Sequence, residues 1–126
     1  MFNKDNIWID IADNKNKLII KGNKIEAKIY GETNKSTYTT EKHFDNNIKI
    51  VIKTLPYEYL IKSQEIINNQ EVEIISGIIM EYDGRGPIVM DEYVKKEDLK
   101  KVPKDFKSKV YHSHNDIEPP PTYITE

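Results

Sequence analysis

The sequence predicts an α+β fold, a curved and mainly antiparallel sheet with one principal helix packed on it. Three observations carry this expectation. Several short segments alternate apolar and polar residues with the period of two that a half-buried strand requires. The stretch from Leu55 to Asn69 instead repeats its apolar residues at helical spacing. Clusters of Gly, Asn and Asp punctuate the chain between these segments, as turns demand.

Ile7, Ile9 and Ile11 alternate with polar residues and define a first strand. After the turn-forming Asp13-Asn14-Lys15-Asn16, Leu18 to Lys21 reads as a second, and Ile25, Ala27 and Ile29 as a third. Gly22-Asn23 and Gly31 separate them. Residues 32–42 show no apolar periodicity beyond Tyr38 and are expected to form an exposed loop or a weak edge strand. Ile48, Ile50 and Ile52 restart the alternation. Thr54 then caps the expected helix, with Pro56 in its first turn, where a missing N–H costs little. Tyr57, Leu60, Ile61, Gln64 and Ile67 form its apolar stripe, and Asn68-Asn69 closes it. Val72 to Tyr82 reads as a central strand, Asp83-Gly84-Arg85-Gly86 as a turn and Pro87 to Tyr93 as the returning strand. A short helix is expected around Leu99, ended by Pro103. Lys107 to His114 reads as a last strand, followed by an extended Pro119-Pro120-Pro121.

The chain has 126 residues, enough for one domain spanning residues 1–126, with strands and a loop in 1–47 and a second set of elements in 48–126. A hydrophobic content of 37% grouped into segments argues for a small but genuine core. The formal charge of -2 gives no bulk case for nucleic acid or membrane surfaces, and Arg85 is the single arginine among 19 basic residues. No nucleic-acid or membrane partner is therefore expected. Cysteine is absent, which removes disulfides, thiolate metal sites and cysteine nucleophiles. The polar start of the sequence and the lack of a long apolar run make the cytoplasm the default compartment. The bias toward Ile, Lys and Asn suits an AT-rich bacterial or phage genome.

His112 and His114 are the residues with the most distinctive chemistry. On a strand they point to one side, so both imidazoles can converge on one zinc ion. Asp116, Glu118 and Glu126 are the nearby acids that can complete such a site. The segment Lys109-Val110-Tyr111-His112-Ser113-His114-Asn115, with Thr122 eight residues after His114, resembles the metal-binding segment of the JAB/MPN (JAMM) metalloprotease family. There an H-x-H pair is followed, after seven residues, by a serine and then an aspartate. The resemblance implies a family-like core in residues 48–126 and zinc held by His112 and His114, with Asp116 or Glu126 as third ligand. Thr122 stands at the serine position. It also implies a glutamate that serves as general base on the zinc-bound water. That position is Ile74, so Glu73, one residue away, is the candidate base and Glu71 a further one. Thr125 stands at the aspartate position.

The function expected on this basis is zinc-dependent hydrolysis of a peptide or isopeptide bond in a protein substrate. The alternative, from a different class, is a small non-enzymatic binding protein, such as an immunity protein, an antitoxin or a phage-encoded inhibitor, that covers a protein partner's surface. Eight tyrosines against three phenylalanines suit half-buried strands as well as an interface.

Overall fold

The computed structural model describes residues 6–53, 56–80 and 86–107. Within them the α+β expectation is overturned. The chain forms a closed barrel of eight antiparallel strands in sequence order: β1 (Asn6–Asp10), β2 (Lys17–Lys21), β3 (Lys24–Ile29), β4 (Glu32–Lys42), β5 (Ile48–Ile52), β6 (Tyr59–Ile67), β7 (Gln70–Met80) and β8 (Pro87–Lys95). The described residues contain no α-helix. Two 3-10 turns, Phe44–Asn46 and Lys96–Lys101, are the helical elements among them, and neither is long and apolar enough to cross a membrane.

The expected principal helix is strand β6. Its ladder with β7 runs without interruption from Tyr59↔Ile78 to Ile67↔Gln70. Asn68 and Asn69, read as a helix end, are the two central residues of the hairpin, with φ of 52° and 67°. Positive φ at both positions is the type I′ geometry whose twist matches that of paired strands. Leu60 and Lys62 then face the barrel interior, while Ile61 and Ile67 on the opposite face are also buried. Burial on both faces is what produced the helical spacing: apolar residues from two sides of a strand were counted as one stripe.

Residues 32–42 form the long strand β4, paired with β3 and β5 along its length. Its inward positions are Asn34, Ser36, Tyr38 and Thr40, so it carries no apolar alternation to betray it. Threonine and tyrosine still favour a strand backbone. Ser36 is buried, and its Oγ accepts from Lys53 N at 3.0 Å and donates to Thr37 O at 2.7 Å.

Pairing of β1 with β8 closes the barrel through Trp8↔Lys95, Ile9↔Val94 and Asp10↔Tyr93. The interior is packed with Trp8, Leu18, Ile25, Ala27, Ile29, Ile50, Ile52, Leu60, Ile75 and Tyr93. A second apolar cluster lies outside the wall, where Ile11, Ile67, Val72, Ile74 and Val94 meet Leu99, Val102 and Phe106. The expected short helix around Leu99 is thus a 3-10 turn with a packing role.

Tyr57, in the segment before β6, closes one end of the barrel. Glu58 N donates to Ile78 O at 2.7 Å and fixes the segment over β7. The Tyr57 ring lies against Gly77, where an added Cβ would come within 2.6 Å of it. A register shift after Gly77 leaves Met90 as an extra residue in β8. That bulge keeps Asp91 and Tyr93 turned toward Tyr57. Gly77→Ala is expected to cost about 1–3 kcal/mol in urea unfolding, because the ring has no free space to retreat into. In a Tyr57→Ala background the same change is expected to cost less than about 0.5 kcal/mol. Equal losses in both backgrounds would show that the ring does not constrain position 77.

Candidate functional site

The two ends of the barrel differ in chemistry. At the end closed by Tyr57, its phenol donates to Asp91 Oδ2 at 2.6 Å and lies 2.5 Å from the Tyr93 hydroxyl. Since the single Tyr57 proton is committed to Asp91, Tyr93 donates to Tyr57. The Tyr30 hydroxyl lies 3.1 Å from Asp91 Oδ1 and 2.9 Å from Oδ2, and donates to this carboxylate. Burial pushes the Tyr57 and Tyr93 phenols well above their ordinary pKa, and burial together with Asp91 pushes Tyr30 up to about 12. All three stay protonated at neutral pH and serve as donors.

Buried Asp10 extends this network. It accepts from Ala12 N at 2.9 Å and Asn16 Nδ2 at 3.0 Å, while Asn16 Oδ1 accepts from Tyr30 N at 2.9 Å. Burial raises the Asp10 pKa in spite of these bonds. Asp10 and Asn16 thereby tie the β1–β2 loop to the β3–β4 turn. Every group here has a partner, and the geometry is that of a fastening.

The other end is hollow. A cavity of about 290 Å³ opens between the start of β1 and the hairpins joining β2 to β3, β4 to β5 and β6 to β7. Its apolar wall is Trp8, Ile20, Ile48, Ile50 and Ile75; its polar lining is Asn6, Tyr38, Thr40, Lys62, Glu73 and Lys95. Lys95 Nζ lies 3.1 Å from Glu73 Oε1, and Lys62 Nζ lies 3.5 Å from Oε2. Burial alone would push Glu73 up, but the two lysines outweigh it and hold the carboxyl below its usual range. Lys95 Nζ also stands 5.7 Å from the centre of the Trp8 ring, a cation–π contact.

Trp8 is 3% exposed, and its Nε1–H is the one fully buried side-chain polar atom among the described residues without a hydrogen-bond partner. Leaving such a donor unsatisfied costs about 1–3 kcal/mol, and most buried donors in folded proteins are paired. Two larger hollows lie on the outer surface. One of about 370 Å³ runs along β2–β4, and one of about 410 Å³ sits between the β1–β2 loop and the Lys96–Lys101 turn. Neither is lined by Trp8, which walls the barrel mouth.

Of the residues expected to carry chemistry, Glu73 is in this site. It points into the cavity, whereas Ile74 packs in the outer cluster, as the alternation of a strand requires. Its nearest partners are the two lysines, and a carboxylate held below its usual range is a weak proton acceptor. His112, His114, Asp116, Thr122 and Glu126 lie outside the described residues. Among those described, no group of three His, Cys, Asp or Glu side chains is placed to hold a metal ion. Trp8, Lys62 and Lys95 were not singled out from the sequence. The available signals were a lone tryptophan inside an alternating strand and lysines at inward positions once the Asn68-Asn69 turn sets the β6–β7 register. No protein-family model matches this sequence, and comparison with curated proteins and with solved structures finds no match.

The lowered pKa of Glu73 fixes the sign of a pH effect. Relative to Glu73→Gln, the stabilisation from its lysine pairs is full above the ordinary carboxylate pKa and is lost as pH falls through the folded value. All three side chains are about one-third exposed, so solvent screening limits the difference to about 0.5–1 kcal/mol near neutral pH. Urea unfolding across pH is expected to show this gap closing below about pH 4. A gap that widens on acidification would contradict the ion-pair assignment.

Proposed function

We propose that the protein is a non-enzymatic binding barrel that holds a small amphipathic molecule in the cavity at its Lys62–Glu73–Lys95 end. The observation that carries this reading is the open cavity itself, walled by Trp8, Ile20, Ile48, Ile50 and Ile75 and lined at its mouth by the partly exposed side chains of Lys62, Glu73 and Lys95. The volume lies near the lower end of small-molecule sites, about 300–1,000 Å³, and the lining sets an apolar wall beside a polar, charged mouth, which suits an amphipathic molecule. The fold itself is silent on function, since one architecture hosts many activities.

Barrel closure also bears on the surface-covering alternative. Every strand has a neighbour on each side, and the stretches left without a ladder partner on one side include residues 63–67 of β6 and 70–73 of β7, in the projecting β6–β7 hairpin. The zinc-hydrolase expectation rests on His112 and His114, and draws no support from the barrel. It requires about one zinc per chain, lost in His112→Ala/His114→Ala, whereas occupancy of the cavity requires no metal.

Trp8 is the sole tryptophan, so its fluorescence reports on this cavity alone. Titration with octanol, octanoate and octylammonium is expected to give a saturable change with at least one of them. Trp8→Phe shortens the aromatic wall, and calorimetry is expected to show affinity reduced about three- to tenfold. No response to any of the three at millimolar concentration would sink the cavity reading. An unchanged affinity in Trp8→Phe would show that the indole does not wall the bound molecule.

A further inference from the structure

The charge at the mouth narrows the class of molecule. The charged groups lining the cavity are Lys62, Lys95 and Glu73, two positive and one negative, which leaves one positive charge unmatched. One carboxylate serves both lysines: the contacts are 3.1 Å to Lys95 and 3.5 Å to Lys62. Each ammonium carries three donors, so Glu73 leaves most of them to solvent. Lys95 also stands over the Trp8 ring, which sets a charged donor beside the orphaned neutral one. Behind these groups the wall is apolar, formed by Ile20, Ile50 and Ile75.

We infer that the ligand is a monoanionic amphipath whose carboxylate sits at the mouth with Lys62 and Lys95, and whose compact apolar body fills the cavity. This inference rests on the cavity reading proposed above. A neutral molecule would cover the two ammonium groups without replacing their lost water, which is costly. A cation would meet a site that is already net positive. A single negative charge balances the lining and gives the two ammonium groups charge-assisted bonds, which are stronger than neutral ones. At roughly 30 Å³ for each small group, the volume admits about ten non-hydrogen atoms, the size of a medium-chain or aryl carboxylate.

The test compares octanoate, octanol and octylammonium on the full chain by calorimetry, at low and at moderate salt. Octanoate is expected to bind at least about tenfold more tightly than octanol, with the advantage shrinking as salt rises. Lys95→Gln is expected to abolish that advantage, lowering octanoate affinity about tenfold more than octanol affinity. Glu73→Gln removes the competing internal carboxylate and is expected to raise the octanoate-to-octanol affinity ratio about three- to tenfold. The glutamine variants keep much of the side-chain volume, and circular dichroism confirms that they fold. Equal affinity for octanoate and octanol, or a preference for octylammonium, would overturn the anion inference and leave the cavity reading standing. Failure of all three ligands would overturn both.

Discussion

Everything placed at the two ends of this barrel depends on the ladder that joins its first strand to its last. The β1–β8 pairing is short, yet it sets Trp8 opposite Lys95 and Asp10 opposite Tyr93. The first pair belongs to the hollow mouth and the second to the fastened end. Because side chains alternate across a strand, a register slip of one residue would turn either Trp8 and Asp10 or Tyr93 and Lys95 out of the barrel. It would carry Ile9 or Val94 inward in exchange, and losing Val94 would break the outer cluster it shares with Ile11, Val102 and Leu99. Apolar packing on both sides of the wall therefore holds the register, and the register holds the polar groups.

The two ends illustrate opposite ways of treating buried polar atoms. Around Asp91, three phenols and a carboxylate satisfy one another, and Asp10 and Asn16 continue the pattern into the loops. Burial keeps those phenols protonated, which is the state in which they can donate. At the mouth, the lysine pairs of Glu73 are partly open to solvent, and the indole donor beside them stays unpaired. A satisfied network rigidifies, whereas ammonium groups partly open to solvent beside a cavity keep donors to spare for another molecule.

Much of the strand content was legible in the sequence, because Ile7–Ile11, Leu18–Lys21, Ile25–Ile29 and Ile48–Ile52 show plain alternation. What alternation alone does not reveal is which face is inside. The isoleucines of β1 drew attention, but Trp8 and Asp10 on the opposite face point into the barrel, and both faces are buried. Strand β4 was faint because its inward residues are polar. Strand β6 reads as a helix in the sequence because its two buried faces sum to a helical pattern, and because Asn68-Asn69 reads equally well as a helix end or an I′ turn. Only the long ladder to β7 decides between them, and that is a tertiary fact. The cavity was illegible for the same reason: Trp8, Lys62, Glu73 and Lys95 lie on four strands, and the closed wall is what brings them together.

The order of the strands has a consequence for how the chain reaches this state. Each strand from β1 to β8 pairs with its successor, so seven of the ladders are hairpins or near-hairpins that form from local sequence. The eighth, β1 with β8, spans nearly the whole described chain. Loop-closure entropy grows slowly with loop length but must be met before a non-local contact gives anything back. The largest closure entropy is thus concentrated at one seam, while the other ladders join sequence neighbours. Since that seam is also where Trp8 meets Lys95, parting it would take the cavity's wall apart.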